Sequence, residues 1–302
     1  MRSSIVIATL LCAAGARAQM NIDFDKVEIK VHKVAGSVAM LEGAGGNIGV
    51  STGDDGVIII DDQFAPLTQK IKAALATLSK QPVKFVLNTH WHGDHTGGNK
   101  DMGEAGALII AHENVYKRMS TEQVNDFFKR TTPASPKGAL PVVTFNDRVT
   151  FRLNGDEIHA IHVNPAHTDG DAVIHFVKAN VLHMGDTYFN GSYPFIDASS
   201  GGSLDGYVLV AAQALTMIDD ETKVIPGHGA LSNKRELKQW HDMLATVRDR
   251  IKQQIAAGKS MDQVVAGKPT AEFDATWGQG FIKPDQFVAL AYVSLTKQAA
   301  TK

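Results

Sequence analysis

The chain has 302 residues, of which 44% are apolar and 21% are charged, and its formal net charge is −2. Its length fits one large domain or two ordinary ones, and its apolar content is typical of a packed globular core. The near-neutral charge excludes a strongly basic surface, so no nucleic-acid partner is expected.

The first 18 residues have the three parts of a secretory signal peptide. Arg2 is followed by the apolar run IVIATLLCAA, and the small-residue site ARA ends at Ala18. A membrane anchor is one alternative, but the run is about half of the roughly 20 residues that a membrane span requires. A lipoprotein signal at Cys12 is a minor alternative, since Leu11 is a poor fit for the small residue expected before a lipidated cysteine. We therefore expect a periplasmic or secreted protein with one domain over residues 19–302 and no stable membrane insertion after cleavage.

Cleavage after Ala18 also limits the chemistry of the mature chain. It removes Cys12, the one cysteine, so a metal site must be built from histidine and carboxylate ligands. It removes Arg2 and Arg17, two positive charges, which takes the formal net charge from −2 to −4.

The first half of the chain predicts strands, a helix and further strands. Residues 26–60 form short strands, where KVEIKVHKV alternates and the apolar run VIII ends at Asp61. A helix is predicted from Leu67 to Leu78, just after Pro66. VKFVLN and ALII predict two more strands. ENVYKRMSTEQVNDFFKR, residues 113–130, predicts a helix, and TTPASPKGALP predicts a loop.

The second half repeats this order. Strands are predicted in VTFNDRVTFRL, EIHAIHV, AVIHFV, VLHMGD and KVIP, with helices over Leu204–Ile218 and Leu237–Ile255 and a helical extension from about residue 256. In both halves an apolar strand ends in Asp, a helix follows, and a second strand ends in His. Two such halves packed sheet to sheet predict an α/β fold, a four-layer αββα sandwich.

The segment NTHWHGDHTGGN, residues 88–99, holds a dense group of metal-ligating side chains. His90 and His92 are two residues apart, so they point to the same side of an extended segment. Gly93 permits a sharp turn, after which Asp94 and His95 can point to a second position. A polar surface loop is a poor alternative, since this pattern rarely arises by chance.

Three further candidates lie in glycine- or proline-marked turns that follow predicted strands. They are His167, Asp186 and His228. The complete set of seven fits two metal ions. One group is His90, His92 and His167, a second is Asp94, His95 and His228, and Asp186 bridges the two or completes the second. Nitrogen and oxygen ligands suit two Zn²⁺ ions, with Fe²⁺ or Mn²⁺ as alternatives.

Such a site can activate water. Zinc lowers the pKa of a bound water to about 7, which makes hydroxide available for attack on a carbonyl or phosphoryl centre. Asp94 is the candidate catalytic residue, since it can orient the hydroxide and relay its proton to the leaving group.

The motifs HWHGDH, AHTDGD, MGD and PGHG, in this order and spacing, resemble those of the metallo-β-lactamase superfamily over about residues 30–255. The resemblance implies the αββα sandwich, with the same seven ligands at one edge. It implies hydrolysis of β-lactams, thioesters, lactones, phosphodiesters or sulfates. β-Lactamases of the common subclass carry Cys where this chain has Asp186, and their substrate-binding lysine falls on Phe189.

Residues just past Asp186 are candidates for substrate binding. Tyr188 and Asn190 are expected to face the cleft, because a tyrosine near this point contacts substrate in the related lactonases. Packing of Tyr188 under the loop is the alternative. Asp61 and Asp62 end a strand near the site, where one of them would support a ligand histidine or cap the next helix.

The expected function is that of an exported dinuclear zinc hydrolase. It would cleave an amide- or ester-type bond of a small molecule by metal-bound hydroxide, with a β-lactamase-like activity. Two alternatives stay open. One is a thioesterase or lactonase of the same fold, and the other is a non-catalytic metal-binding accessory protein or redox relay. The oligomeric state is not predicted.

Overall fold

The computed structural model describes residues 22–300, with side chains for residues 22–297. The predicted signal peptide over residues 1–18 lies outside the described residues. The strands are β1 Lys30–Ala35, β2 Val38–Glu42, β3 Ile48–Gly53, β4 Gly56–Ile60, β5 Val83–Leu87, β6 Leu108–His112, β7 Gln123–Asn125, β8 Arg130–Thr132, β9 Val143–Phe145, β10 Arg148–Leu153, β11 Asp156–His162, β12 Ala172–Phe176, β13 Val181–His183, β14 Lys223–Ile225 and β15 Ser232–Asn233. The α-helices are α1 Thr68–Leu78, α2 Gly93–Thr96, α3 Asn99–Glu104, α4 Glu113–Met119, α5 Leu204–Met217, α6 Lys234–Ala256, α7 Met261–Ala266, α8 Asp274–Trp277 and α9 Pro284–Ala300.

Two sheets organise these strands. The first has seven strands in the order β1-β2-β3-β4-β5-β6-β9, antiparallel as far as β4 and parallel from there on. The second has six strands in the order β10 to β15, of which β13 and β14 are parallel. A separate hairpin pairs β7 with β8. In each of the parallel pairs β4–β5 and β13–β14, one α-helix connects the two strands along the chain, as the internal similarity of the two halves predicts.

The predicted α/β fold, a four-layer sandwich, is confirmed by how the apolar side chains divide. In β4, Ile58 and Ile60 point into a cluster between the sheets, where they meet Ile174 and Ile225 of the second sheet. Ile59 points the other way, into a cluster with α1. Because successive side chains of a strand face opposite sides, an unbroken apolar run is what a strand buried on both faces requires.

The outer face of the second sheet carries the largest apolar cluster. Trp240 and Leu244 of α6 and Tyr207 of α5 are fully buried there, together with Phe287 of α9. The C-terminal helices therefore complete the core of this half of the molecule. Within residues 22–300, none of the helices has the length and apolar character that crossing a bilayer demands.

The predicted helix over residues 113–130 is wrong in its second half. The helix α4 ends at Met119, and the chain then turns into the β7–β8 hairpin. Ser120 and Thr121 donate hydroxyl hydrogen bonds to the Lys117 carbonyl, which satisfies a helix-end acceptor. Arg118 holds the end of α4 through two 2.6 Å bonds to Asp169, a partner far away in sequence.

Candidate metal centre

The histidine motif follows directly after β5. His92 lies just before α2, a single turn that begins at Gly93, and its carbonyl accepts hydrogen bonds from the backbone of His95 and Thr96. Gly93 itself is exposed and has open space where a Cβ would be. The sharp turn predicted at Gly93 is therefore made by this short helix, in a backbone conformation that does not require glycine.

The first predicted group of ligands is brought together. The ligand atoms of His90, His92 and His167 all lie within 4.8 Å of one another. The Nδ1 atom of His92 is 2.7 Å from Nε2 of His167. His167 comes from the loop after β11, where the Asp171 carboxylate accepts a 2.7 Å bond from its backbone N–H and fixes the turn.

The second predicted group is also brought together. The ligand atoms of Asp94, His95 and His228 lie within 4.8 Å of one another. Nε2 of His228 is 3.3 Å from Oδ2 of Asp94 and 3.4 Å from Nε2 of His95. His228 follows β14, so this group joins the ends of both sheets.

Asp186 lies between the two groups. Its Oδ1 is 3.0 Å from Nε2 of His95, and its Oδ2 is 3.4 Å from Nε2 of both His167 and His228. A third triplet of close ligand atoms is formed by His90, His95 and Asp186. This is the position that a bridging carboxylate needs.

The donor set fits metal ions. Nε2 of His90 and Oδ1 of Asp186 are buried and make no well-directed hydrogen bond among the described residues, although Oδ1 lies 3.0 Å from Nε2 of His95. Buried polar atoms are normally satisfied, so both atoms call for an unassigned partner. Imidazole nitrogens that face one another at 2.7–3.4 Å, as His92–His167 and His95–His228 do, also indicate a shared cation. Clusters that could hold metal ions are therefore present, and the ligand roles of the seven residues remain a proposal.

The electrostatics favour cations. Burial lowers the pKa of His90 well below its usual value and that of His167 to about 4. Both imidazoles are therefore neutral, the form that can coordinate a metal ion. Burial disfavours the anion of Asp186, but His95 and His228 hold its pKa well below the ordinary range. Against burial, Asp186 and Asp94 raise the pKa of His228 to about 9. The carboxylates thus attract positive charge to the second group.

Carboxylates behind the histidines fix their orientation. Asp61 accepts a 2.8 Å bond from Nδ1–H of His95 and two bonds from Thr89, the residue before the motif. Asp197 accepts a 3.0 Å bond from Nε2–H of His92. Such partners set the tautomer and direction of a metal-binding imidazole. Asp62 accepts from the Gly98 amide near the start of α3, so only Asp61 of the pair supports a histidine.

Sequence reasoning missed Asp197 and Tyr207. Asp197 accepts from the amides of Ser199 and Ser200, which is a local capping pattern with no relation in sequence to the histidines. The hydroxyl of Tyr207 is 3.1 Å from Nδ1 of His167. Tyr207 lies in α5, a largely apolar helix whose sequence does not distinguish this tyrosine from a core residue. A capping signal in the sequence was available for Asp197, but it does not predict a contact with His92.

The side chains of Tyr188 and Asn190, the predicted substrate-binding residues, hydrogen-bond to neighbouring residues and to none of the seven candidate ligands. Tyr188 is fully buried, packs edge-on against Trp240, and bonds to the Ser232 hydroxyl at 2.8 Å. The side chain of Asn190 donates to the Ala230 carbonyl and accepts from Tyr188. Packing under the loop, the alternative for Tyr188, describes the structure, because the aromatic ring has a buried partner there.

Two glycines permit close approach to the site. A Cβ on Gly46 would overlap Cε1 of His95, and one on Gly227 would overlap Oδ1 of Asp186. Any larger residue would displace a candidate ligand. The loops that carry these glycines therefore pack directly against the metal centre.

Comparison with known proteins identifies the family. Residues 41–229 match the model of the metallo-β-lactamase superfamily. The 2,4-dinitroanisole O-demethylase subunit alpha of Nocardioides sp. is 25% identical over 79% of this chain and 70% of its own length. The hydroxyacylglutathione hydrolase of Erythrobacter litoralis is 32% identical over 35% of each chain.

A solved structure shows the same fold. The metallo-β-lactamase from Pontibacter korlensis superposes with a TM-score of 0.61 at 19% identity, covering 72% of this chain and 99% of that one. Among the curated relatives compared, the chain spans between 28% and 70% of their lengths. The family match covers more than half of the chain and includes every one of the seven candidate ligands, from His90 to His228. The chain therefore belongs to the metallo-β-lactamase superfamily and is a metal-dependent hydrolase of that family.

Proposed function

We propose that this protein is an exported dinuclear zinc hydrolase that cleaves an amide- or ester-type bond of a small molecule. The observation that carries the proposal is the position of Asp186 between two triplets of side chains that can bind metal. The first triplet is His90, His92 and His167, and the second is Asp94, His95 and His228. One triplet would hold each ion, with Fe²⁺ or Mn²⁺ as alternatives to zinc. Bound there, the ions would supply Lewis-acid activation of water and of the substrate oxygen.

Asp94 has the position of a proton carrier. Its side chain is 26% exposed, whereas the neighbouring His95 is fully buried, so Asp94 reaches the open side of the centre. His95 and His228 hold its pKa below the usual range despite burial, which keeps Oδ2 available as an acceptor. Oδ2 would take the proton of the attacking water and pass it to the leaving group.

The surroundings of His228 favour a substrate other than a β-lactam. Phe189, at the position of the lysine that binds the β-lactam carboxylate in related enzymes, stacks on His228 with ring centroids 5.2 Å apart. An apolar ring there supplies no charge for a carboxylate. A thioesterase or lactonase is therefore the second candidate, and a relative named hydroxyacylglutathione hydrolase supports it.

The full-length protein, expressed in a bacterium with a periplasm, provides the test. We expect it in the periplasmic fraction, beginning at Gln19, with two zinc ions per chain by elemental analysis. Hydrolysis would be measured on chromogenic β-lactam, lactone, thioester and phosphodiester substrates, with and without chelator.

His92→Ala and His241→Ala form a matched pair for this experiment. His92 belongs to the first triplet, whereas His241 lies on α6 and bonds to Asp242. We expect loss of hydrolysis in His92→Ala and no change in His241→Ala. Two bound ions without turnover of any of these substrates would contradict the proposed substrate class, and retention of the first 18 residues in the cytoplasm would contradict export.

A further inference from the structure

Three phenylalanines from distant parts of the chain gather beside the proposed metal ligands. Phe128 lies in the turn of the β7–β8 hairpin, Phe195 in the loop after β13, and Phe281 between α8 and α9. The ring centroid of Phe128 is 5.1 Å from that of Phe195 and 5.8 Å from that of Phe281. We refer to these three residues as the aromatic cleft.

The aromatic cleft is continuous with the metal centre. The ring of Phe195 stacks on His92, with centroids 6.0 Å apart, and meets His167 edge-on at 5.6 Å. The hairpin that carries Phe128 is tied to the same place, because Asn125 donates a 3.2 Å bond to Asp197, the partner of His92. A molecule resting on these rings would therefore have its far end at the first triplet.

Two of the three rings of the aromatic cleft are exposed to solvent, which has an energetic cost. Phe128 is 40% exposed and Phe281 is 57% exposed, so a large part of each apolar ring faces solvent. Contiguous exposed apolar side chains mark sites that bind a partner or ligand. Here the contiguity with His92 indicates a small molecule that is presented to the metal centre.

Resting on the proposed function, we propose that the substrate carries a planar aryl group, which binds in the aromatic cleft while its scissile bond lies over the metal centre. The ring of Phe128 is inclined by 47° to that of Phe195 and by 40° to that of Phe281. The three rings offer both faces and edges, the arrangement in which aromatic pairs attract beyond simple area burial. Phe189, stacked on His228, makes another wall apolar.

A pair of esters isolates the aryl group. Methyl phenylacetate and methyl cyclohexylacetate have the same leaving group and differ in one ring. Because the phenyl ring also activates the ester carbonyl inductively, each kcat/KM is divided by the rate constant for hydrolysis of that ester by free hydroxide. We expect this normalised kcat/KM to favour the phenyl ester by roughly fivefold, as one or two aromatic contacts would give. Phe128→Leu and Phe281→Ala should bring the ratio close to one, chiefly by raising KM for the phenyl ester.

Leu209→Ala is the matched control. Leu209 is 44% exposed on α5 and lies outside the aromatic cleft, so loss of its apolar surface should leave the ratio at the wild-type value. A wild-type ratio near one, or the same ratio in Phe128→Leu as in the wild type, would overturn the proposal.

Binding without hydrolysis separates this proposal from the proposed function. Phenylacetamide and cyclohexylacetamide would be titrated by calorimetry onto the full-length protein, with and without chelator. Preferential binding of phenylacetamide that weakens at least threefold in Phe128→Leu supports the aromatic cleft, even if neither ester is hydrolysed. Hydrolysis of both esters without such binding leaves a hydrolase and removes the aryl preference. A change from dimer to monomer in both variants by analytical ultracentrifugation would also overturn the proposal, because the rings would then join two copies.

Discussion

At the scale of single residues, the orientation of His92 depends on one carboxylate. Asp197 is almost fully buried, accepts from Nε2–H of His92, and is itself held by the Ser200 hydroxyl at 2.7 Å. Burial opposes its ionisation, but the bond from His92 brings its pKa to about 2, so it is anionic at neutral pH. The imidazole is thereby turned with Nδ1 toward His167.

Replacement of Asp197 should weaken metal binding at the first triplet. We expect Asp197→Ala to lower zinc affinity by about 10- to 100-fold, because His92 loses the partner that sets its tautomer and direction. Competition with a chromophoric chelator measures this affinity. Asp242→Ala removes an exposed carboxylate on α6 and serves as the control. Equal affinities in the two variants would show that Asp197 does not orient His92.

The candidate site could be predicted at this scale as far as residue type and spacing carry information. His90 to His95 lie in one short run, and His167, Asp186 and His228 each follow an apolar strand, so their meeting point is implied by strand ends. Asp197 has no such signal, since its contact with His92 spans 105 positions. The buried position of Tyr188 has no clear signal for a related reason. A side chain's direction after a strand depends on what packs beneath it, here Trp240.

At the scale of elements, the last helix contributes to the core. Phe287 of α9 is fully buried and stacks on Tyr193 with centroids 4.6 Å apart. Tyr193 precedes Phe195 of the aromatic cleft by two residues, so α9 supports the loop that borders the metal centre. The helical extension predicted from about residue 256 is thus part of the second half's packing.

Truncation of Phe287 should destabilise the whole protein. We expect Phe287→Ala to lower the free energy of unfolding by about 3–5 kcal/mol, because a buried ring is replaced by a cavity. Phe281→Ala in the same region should cost less than about 1 kcal/mol, since that ring is 57% exposed. Urea denaturation gives both values. A loss below about 1 kcal/mol in Phe287→Ala would mean that α9 is dispensable for stability.

The β7–β8 hairpin shows where element prediction from sequence reaches its limit. Residues 113–130 contain no glycine or proline, and their spacing fits a helix throughout. The helix ends early because Arg118 binds Asp169 and because Asn125 accepts from the Phe128 amide in a tight turn. These contacts depend on tertiary structure and on a turn that tolerates many sequences, so local periodicity did not reveal them.

At the scale of the whole molecule, two buried histidines outside the metal centre should make the fold sensitive to acid. His183 donates from Nε2 to the Asn47 carbonyl and accepts from the Gly185 amide, so it has no room for a second proton. Burial lowers the pKa of His183 to about 4. Burial and the neighbouring His162 lower that of His112 to about 4 as well.

The sign of the pH dependence follows from proton binding. Between pH 6.5 and about 4 the unfolded chain binds protons at these positions and the native chain does not, so stability falls as pH drops through this window. Each group accounts for a loss on the order of 3 kcal/mol. We expect His112→Gln to flatten the curve of unfolding free energy against pH in chelator-treated protein. His32→Gln, in β1, is the control, and parallel curves for both variants would contradict the assignment.

The architecture was predictable at this largest scale because each half repeats one simple order. An apolar strand, a helix and a second strand give β4-α1-β5 in one half and β13-α5-β14 in the other, and both pairs are parallel. The loops that shape the entrance have no such regularity. Their conformations depend on single contacts such as Asn47 with the Pro226 carbonyl, which joins the two sheets.

The candidate ligands come from both sheets: His90 to His95 follow β5 of the first, and His167, Asp186 and His228 follow strands of the second. An ion bound by ligands from both sheets would link the two halves of the sandwich. Free metal at a thousand times its dissociation constant adds about 4 kcal/mol to the stability of the form that binds it. When metal is scarce, the less stable metal-free protein would be degraded faster by proteases. The amount of protein in its compartment would therefore depend on the metal supply.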